Sequence, residues 1–345
     1  MRFIGCKTLL LENIHNVIKE HVNDGRVFCD IFSGTGTVGR YFKQFYEVYS
    51  NDLLYFSYVL QKGTIELDTL PKFEKLKTIG IFDPIEYFNS CDNSLLESLP
   101  IEKRFFQNNY APIGGRMYLN NENALRIDFA RNTVENWLSQ DIISHKEYFY
   151  LVACIVEGIP FVSNISGTYG AYHKQWERRT FKKYGVIKLP IYTNGKQNRC
   201  YNEDGVKLLK KIKGDILYID PPYNERQYLP NYHVLETAAK YDNPILKGVT
   251  GQREYENQKS EFCSLKTALS AFDNLLSNAQ FKHIILSYST EGIMPLESIE
   301  AIMNKYAKPN SVKIYKIPYR RYKSRHQENK DDLKELLIYM EKKCI

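Results

Sequence analysis

Short apolar runs separated by amphipathic helical stretches predict an α/β protein. Apolar positions between residues 10 and 18 recur with the period of one helix face, and the run at residues 27–32 follows as a buried strand. Further strands are predicted over residues 47–51, 217–219 and 282–289. Because these strands alternate with helices, the pattern favours a parallel sheet.

Two regions depart from this alternation. Residues 55–200 contain mixed helical patterns, including predicted helices over 120–137 and 146–157, which indicate a mainly helical insertion between the second and third strands. Near the C-terminus, apolar runs at 312–317 and 336–339 predict a closing antiparallel hairpin. We therefore divide the chain into a sheet-containing catalytic domain, residues 1–54 and 201–345, and an insertion, residues 55–200.

The composition is that of a globular protein with a modest positive charge. Of the 345 residues, 43% are apolar and 25% charged, and the net charge of +7 is compatible with a polyanionic partner. No apolar run approaches the roughly 20 residues that span a bilayer, and no signal-peptide pattern is present. The seven cysteines lack the spacing of a zinc site, so we expect reduced thiols and no metal. From the lack of a long apolar run we expect no membrane partner.

A glycine-rich loop follows the first strand. Ser33, Gly34 and Gly36 precede a helix predicted to begin near residue 40, where glycines let the backbone approach a nucleoside ligand closely. Asp52, after the next strand, would bind ribose hydroxyls. Asp30 ends the strand before the loop, where its charge would oppose a pyrophosphate but could hold the ammonium of a methionine moiety. This favours S-adenosylmethionine over NAD, although Asp30 could equally cap the following turn.

The tetrapeptide after the strand at 217–219 is the main candidate for catalysis. Asp220 is a hydrogen-bond acceptor only when ionised, and the carbonyl of Pro221 can supply a second acceptor. Pro221 and Pro222 bring no backbone N–H and fix φ, while Tyr223 offers a ring face for a base pulled out of its helix. These groups would grip the amino group of a nucleobase. The alternative is a structural Asp-Pro-Pro turn with a core tyrosine.

Two segments that interleave cations with aromatics are candidates for DNA contact. They lie at residues 166–183 and 319–326, and a third polar segment follows the tetrapeptide. Such segments suit phosphates and exposed bases, but an ordinary solvated loop remains the alternative. The predicted contacts are Tyr169, Lys174, Arg178, Arg179, Lys182, Lys183, Arg226, Tyr228, Arg320, Arg321, Lys323 and Arg325.

The order of these motifs resembles that of the Dam-like (D12 class) DNA adenine-N6 methyltransferases over essentially the whole chain. In that family a cofactor loop is followed by a target-recognition insertion and then by the catalytic Asp-Pro-Pro-Tyr, here residues 220–223. The residues Asn224-Glu225-Arg226-Gln227-Tyr228 follow as in members tied to type IIS restriction-modification systems. The resemblance implies a Rossmann-like S-adenosylmethionine-dependent methyltransferase sheet.

The resemblance also implies cofactor contacts. The family's motifs of an aromatic before a lysine, a glycine loop, a ribose-binding acid and an adenine-reading acid match Phe3, Lys7, Phe32, Ser33, Gly34, Gly36, Asp52 and Asp204. Where many members carry an aromatic after the last acid, this chain has Gly205, so adenine stacking is expected elsewhere, at Leu53. Lys7 lies near the start of the first helix, where a cation is unfavourable, so it is either solvated or serves a ligand.

We therefore expect a site-specific enzyme that transfers the methyl group of S-adenosylmethionine to N6 of an adenine flipped out of duplex DNA. It would be the modification part of a restriction-modification system, with a separate cognate endonuclease, in the bacterial cytoplasm at the nucleoid. Asp220 argues against the related Asn-Pro-Pro-Tyr and Ser-Pro-Pro-Tyr enzymes, which act on protein glutamine and cytosine N4, but not against RNA adenine. A nicotinamide oxidoreductase and a non-catalytic nucleic-acid-binding module are two further candidate classes.

Overall fold

The computed structural model describes residues 4–318 and 334–343, which form a seven-stranded sheet. The strand order is β3-β2-β1-β4-β5-β7-β6, with β7 antiparallel to its neighbours and the other strands parallel to one another. The strands are β1 (Val27–Asp30), β2 (Glu47–Asn51), β3 (Arg199–Tyr201), β4 (Lys213–Ile219), β5 (Gln280–Ser289), β6 (Lys313–Pro318) and β7 (Lys334–Glu341).

Helices cover both faces of this sheet and fill the long connection between β2 and β3. They are α1 (Leu11–His21), α2 (Thr37–Phe42), α3 (Tyr55–Gln61), α4 (Glu74–Thr78), α5 (Pro84–Ser90), α6 (Asn93–Glu97), α7 (Phe105–Tyr110), α8 (Asn121–Ser139), α9 (His145–Gly158), α10 (Gly205–Leu209), α11 (Leu229–Lys240), α12 (Ala268–Asn278) and α13 (Leu296–Tyr306). None of the helices in the described ranges has the length and apolar composition that a bilayer crossing requires.

The predicted fold class is confirmed. The sheet is the mostly parallel, Rossmann-like sheet expected, and β6 and β7 form the predicted antiparallel hairpin. Most predicted boundaries lie within three residues of the observed ones, but α2 begins at Thr37 rather than near residue 40 and α10 ends at Leu209 rather than near 212. Both differences fall at helix ends, where the local signals are weakest.

Alternation along β4 separates the two faces of the sheet. Ile216 and Tyr218 pack beneath α1 and α2, whereas Leu217 and Ile219 pack against α10, α12 and α13. Side chains of a strand point alternately to opposite faces, so a parallel strand covered on both sides must be apolar at every position. This explains the unbroken apolar run that ends at Asp220.

The helices α3 to α9 lie between β2 and β3 and share one hydrophobic core with α11. Glu236 of α11 is fully buried and accepts the backbone N–H groups of Tyr55 at 3.1 Å and Phe56 at 2.9 Å, at the start of α3. A carboxylate at a helix N-terminus is stabilised by the helix dipole. Glu236 therefore ties the helical region to the segment that follows the tetrapeptide. The division at residue 201 remains a prediction, and β3 begins just before it.

The order of the strands indicates which edge of the sheet would bind a ligand. β1 and β4 are neighbours, but the chain leaves β1 towards β2 and leaves β4 towards β5, on the opposite side. The crevice at such a reversal, outside the carboxyl ends of the strands, is the usual ligand site of open α/β sheets. Asp30 and Asp220 are the residues at the ends of these two strands.

The close packing of α9 can be tested at Gly158. A Cβ at this position would lie 2.3 Å from the carbonyl oxygen of Gly185. Although alanine is normally the better helix former, we expect Gly158→Ala to lower the free energy of unfolding in urea by about 1–3 kcal/mol. The control is Gly170→Ala, where the nearest atom would be 3.5 Å away and the stability should stay within about 0.5 kcal/mol. Equal stability of the two variants would contradict the packing.

Candidate active site

Three carboxylates converge at one edge and on one face of the sheet. Asp30 is the last residue of β1, Asp220 follows β4, and Glu335 lies near the start of β7. Because β7 runs antiparallel, its beginning meets the carboxyl end of β5, where Glu335 pairs with Ser289. By strand alternation all three have the same parity as the residues packed under α1, of which Tyr218 is one.

A single buried cation faces two of these carboxylates. The Nζ atom of Lys7 lies 3.2 Å from Oδ1 of Asp220 and 3.4 Å from Oε2 of Glu335, and the lysine is 4% exposed. Burial alone would lower the pKa of Lys7, but Asp220 and Glu335 outweigh it and raise the pKa well above its ordinary value. Lys7 is therefore a charged, buried residue, and the solvated interpretation is wrong.

The carboxyl of Asp220 titrates close to neutrality. Burial raises its pKa to about 6, the Lys7 ammonium opposes that rise, and the neighbouring Glu335 carboxylate adds to it. Its side chain is 16% exposed and lines a cavity. Asp220 is thus ionised above about pH 6 and can then act as a hydrogen-bond acceptor only.

Asp30 has one oxygen that is satisfied and one that is not. Its Oδ2 accepts the hydroxyl of Ser33 at 2.9 Å, whereas Oδ1 is buried and has no hydrogen-bond partner of ordinary geometry in the described part of the chain. Burial raises the pKa of Asp30 to about 8, and the charges of Asp220 and Asp52 add to the rise against the Ser33 hydrogen bond. An unpaired buried carboxylate oxygen is costly, so this position fits a cationic ligand group.

The glycine loop is held open by Asp52. Gly34 and Gly36 have φ of 51° and 76°, which favour glycine. Asp52 accepts the N–H of Gly34 at 2.8 Å through Oδ2 and the N–H of Leu54 at 2.8 Å through Oδ1. Burial raises the pKa of Asp52 to about 6, although these hydrogen bonds oppose the rise. The predicted ribose-binding acid therefore also fixes the loop that precedes α2.

Gly205 packs closely at the far end of the cavity. A Cβ on Gly205 would lie 3.2 Å from Ile31 and 3.5 Å from the ring of Phe32. Phe32 in turn meets Phe262 edge to face, with 5.1 Å between the ring centroids. Asp204 caps α10 by accepting the N–H of Lys207 at 3.0 Å and lines the same cavity, so the capping and ligand-facing interpretations are compatible.

Aromatic side chains flank the tetrapeptide. Tyr223 and Tyr228 both face Gly5, where a Cβ would lie 3.9 and 3.8 Å from them, and the Lys7 ammonium is 5.9 Å from the centre of the Tyr223 ring. Gln227 exchanges two hydrogen bonds with the backbone of Ser260, at 2.8 and 3.1 Å. The segment after the tetrapeptide is thereby fastened to the segment near residue 260.

One cavity joins the two halves of the predicted site. It is lined by the tetrapeptide residues Asp220, Pro222 and Tyr223 together with Lys7, Asp30, Phe32, Ser33, Gly34, Asp52, Leu53, Asp204 and Gly205. Pro221 is buried and is not among the lining residues. Phe3 lies outside the described residues. In residues 4–318 and 334–343, no three or more His, Cys, Asp or Glu side chains are arranged so that they could hold a metal ion.

The predicted DNA contacts fall into different classes. Lys174, Arg178, Lys182, Lys183 and Arg226 are exposed. Arg179 is half-buried and pairs with Glu177, and Tyr228 lines the cavity instead of the surface. The remaining predictions, Arg320, Arg321, Lys323 and Arg325, lie outside the described residues.

The prediction for Tyr169 is wrong. Its side chain is 1% exposed, and its hydroxyl is 3.0 Å from that of Ser163 in the core of the helical region. Tyr169 also donates its backbone N–H to Asn231, at the start of α11. A tyrosine in a glycine-rich, basic segment suggested exposure, but the ring packs against Tyr118. It supports the loop from beneath.

Sequence reasoning missed Glu335, which contacts Lys7, and several residues that line the cavity. Glu335 carries no local signal, because only the antiparallel course of β7 brings it to this edge. Phe262 and Gln258 lie in a region without a recognisable motif. Tyr218 was the one that could have been found, because it precedes Asp220 by two residues and therefore shares its face.

The tetrapeptide and the glycine loop thus meet in one cavity at the carboxyl ends of β1 and β4, in a mostly parallel, Rossmann-like α/β fold. The chain belongs to the D12 class of N6 adenine-specific DNA methyltransferases, whose family model matches residues 3–302.

Named relatives support the same assignment. Type II methyltransferase M.FokI of Planomicrobium okeanokoites is 48% identical over 99% of this chain and 53% of its own length. Modification methylase StsI of Streptococcus sanguinis is 41% identical over 99% of this chain and 52% of its own length. Type II methyltransferase M.NlaIII of Neisseria lactamica is 33% identical over 96% and 95%. The chain thus spans about half the length of the first two relatives.

Removal of the Lys7 charge should cost stability in a pH-dependent way. Consider a carboxyl whose pKa is higher in the folded protein than in the unfolded chain. As the pH rises from the lower to the higher of these two pKa values, the free energy of unfolding falls. In the wild type this cost for Asp220 stops growing near pH 6, the pKa of its carboxyl. In Lys7→Gln the folded pKa rises further, so the deficit in the free energy of unfolding should grow above pH 6, to about 3–5 kcal/mol at pH 8.

Urea unfolding at pH 5, 6, 7 and 8 measures this deficit. The control is Lys77→Gln, which removes an exposed pair with Glu74 and should cost less than about 1 kcal/mol at every pH. A deficit for Lys7→Gln that is constant from pH 5 to 8 would argue against the buried charge pair.

Proposed function

We propose that this protein is a site-specific DNA methyltransferase that uses S-adenosylmethionine to methylate N6 of adenine. The observation that carries the proposal is that Asp220 and Tyr223 line the same cavity as the glycine loop and Asp30. An amino-group acceptor site and a nucleoside site must adjoin for a direct transfer, because the reacting atoms have to approach within about 3–3.5 Å.

The charge of the site supports a cationic cofactor. Asp30, Asp220 and Glu335 provide three carboxylates at this edge, and the ammonium of Lys7 faces the last two. S-adenosylmethionine carries a sulfonium and an ammonium, so it would supply the missing positive charge, with its ammonium at Oδ1 of Asp30. The pyrophosphate of NAD would instead bring negative charge towards Asp30, which disfavours a nicotinamide oxidoreductase.

The remaining groups would contact different parts of the cofactor. Asp52 has the lone pairs to accept from ribose hydroxyls while it holds the loop, and Asp204 is positioned to read the adenine. Phe32, with Leu53 on the other side, would contact the adenine ring in place of an aromatic at position 205. When bound, S-adenosylmethionine supplies an activated methyl group on a positively charged sulfur.

The tetrapeptide prepares the acceptor. The carboxylate of Asp220 and the carbonyl of Pro221 accept the two N–H bonds of the adenine amino group, which turns its lone pair out of conjugation with the ring. Tyr223 stacks on the flipped base. When the nitrogen takes the methyl group, the electron pair of the carbon–sulfur bond would remain with sulfur, and the nitrogen would then lose one proton to solvent. No covalent bond to the protein is required.

DNA would lie against the basic segment of the helical region. Lys174, Arg178, Lys182 and Lys183 are exposed there, and Arg226 is exposed beside the tetrapeptide. Cations of this kind bind phosphates and fix the register of the duplex without reading its sequence. A separate cognate endonuclease of a restriction-modification system is the proposed biological partner.

Loss of Asp220 should separate cofactor binding from methyl transfer. In Asp220→Ala, Lys7 retains Glu335 as a partner, so the fold and the affinity for S-adenosylmethionine should be kept. Incorporation of labelled methyl into DNA should fall by roughly 10²–10³-fold, because the amine loses its charged acceptor. Asp273→Ala, at an exposed pair with Lys305, is the control and should be unaffected. Near-normal turnover of Asp220→Ala would reject the proposal.

Cofactor binding should release a proton from Asp30. Its pKa of about 8 keeps this carboxyl protonated at pH 6.5 in the free protein, and a bound ammonium would lower the pKa and ionise the group. The amino group of the ligand is already charged at this pH. Calorimetric titrations in two buffers of different ionisation enthalpy should give close to one proton released, falling towards zero above pH 8.

Two variants test the source of that proton. Asp30→Asn should bind more weakly and release none, whereas Asp204→Asn should bind more weakly but release the same number as the wild type. Undiminished release from Asp30→Asn would show that the ammonium binds elsewhere.

A further inference from the structure

We propose that Glu335 is a positioning residue for methyl transfer, which holds the ammonium of Lys7 between two carboxylates so that Asp220 keeps acceptor capacity for the adenine amine. This inference rests on the proposed function and adds to it a residue on β7, outside every motif of the sequence.

Both contacts of the Lys7 ammonium are longer than those of a tight ion pair. A charged N–H donor normally lies about 2.7–2.9 Å from a carboxylate oxygen, but Lys7 lies 3.2 Å from Asp220 and 3.4 Å from Glu335. The ammonium is thus shared and makes a tight pair with neither. Without Glu335, the only carboxylate in contact with Lys7 would be Asp220, and the lysine would close onto it and compete with the substrate amine.

The fold fixes Glu335 more firmly than it fixes Lys7. Glu335 lies in a strand that is paired on both sides, with Ser289 of β5 and Ile317 of β6 as its direct partners. Lys7 precedes a short 3-10 helix, Thr8–Leu10, and has no sheet partner in the described part of the chain. The carboxylate on the rigid strand therefore sets the position of the ammonium, and through it the orientation of Asp220.

Glu335 also sets the net charge of the group that it forms with Lys7 and Asp220. During transfer, positive charge moves from sulfur to the nitrogen held by Asp220. Lys7, Asp220 and Glu335 together carry one net negative charge when both acids are ionised, which favours that movement. A neutral residue at 335 would leave the trio without net charge. The positive charge of Lys7 would then cancel the negative charge of Asp220, the acceptor of the amine.

Other titratable groups face this trio, and none replaces Glu335. They are Asp30 from β1, Tyr218 from β4, Tyr223 and Tyr228 after the tetrapeptide, and Cys6 beside Lys7. Burial raises the pKa of Tyr218 and of Tyr228, so both are neutral at physiological pH. Asp30 is not in contact with Lys7, so the lysine has Asp220 and Glu335 as its carboxylate partners in the described residues.

The test compares Glu335→Gln with Lys7→Gln, which should shift the pH dependence of the methylation rate in opposite directions. Single-turnover methylation of DNA by the full chain is measured from pH 5 to 9 with saturating cofactor and DNA. Because Glu335→Gln removes a negative neighbour of Asp220, the acid limb of the rate profile should move to lower pH, and the plateau should fall on the order of tenfold. Lys7→Gln removes the positive neighbour, so its acid limb should move to higher pH.

The control is Glu341→Gln, on the same strand, whose carboxylate pairs with Lys308 at 2.6 Å away from the cavity. Its acid limb and plateau should match the wild type. The dissociation constant for S-adenosylmethionine should change less than about threefold in Glu335→Gln, because Glu335 is not among the residues that line the cavity. A purely structural residue would lower the active fraction without displacing the acid limb, and that result would overturn the inference.

A second measurement does not depend on activity. The free energies of unfolding of Lys7→Gln, Glu335→Gln and the double variant form a double-mutant cycle, which should be strongly non-additive. Additive effects would overturn the inference even in an active enzyme. If the wild type transferred no methyl group to DNA, the proposed function would fail, and the cycle alone would decide whether Glu335 positions Lys7.

Discussion

The buried ion pair between Lys7 and Asp220 is the contact on which the site depends. It connects the segment before α1, at the beginning of the chain, to the end of the central strand β4. Two charges are withdrawn from water here, and such a pair is retained only where the geometry compensates for the desolvation. Glu335 supplies that compensation as a second carboxylate partner. The arrangement orders the rim of the sheet before any ligand is present.

The same crowding of acids determines which ligand suits the cavity. Burial and mutual repulsion raise the pKa of Asp30, Asp52 and Asp220 towards or above neutrality. Asp52 and Asp220 have protein partners, but Oδ1 of Asp30 has none of ordinary geometry in the described residues. A cofactor that carries positive charge relieves this repulsion, whereas an anionic one increases it. The proposal of a sulfonium cofactor therefore rests on electrostatics as well as on the glycine loop.

The helical region and the catalytic edge are physically continuous. Tyr228 lines the cavity and immediately precedes α11, and α11 contributes to the core of the helical region and caps α3 through Glu236. Gln227 fastens the same segment to Ser260. A change in the helical region can therefore reach the tetrapeptide through α11. If DNA lies against the helical region as proposed, this continuity would couple target recognition to the entry of a base.

The sequence by itself determined the sheet, its closing hairpin, the glycine loop and the tetrapeptide. These features rest on local periodicity and on residue types, such as Asp220 followed by two prolines, whose local conformation is narrowly restricted. Tertiary structure alone decided which charges meet. Glu335 is more than a hundred residues from Asp220 in the chain, and only strand order and the antiparallel direction of β7 bring it to Lys7. Likewise, the composition around Tyr169 suggested a surface residue, but its burial depends on packing against Tyr118, which no local pattern encodes.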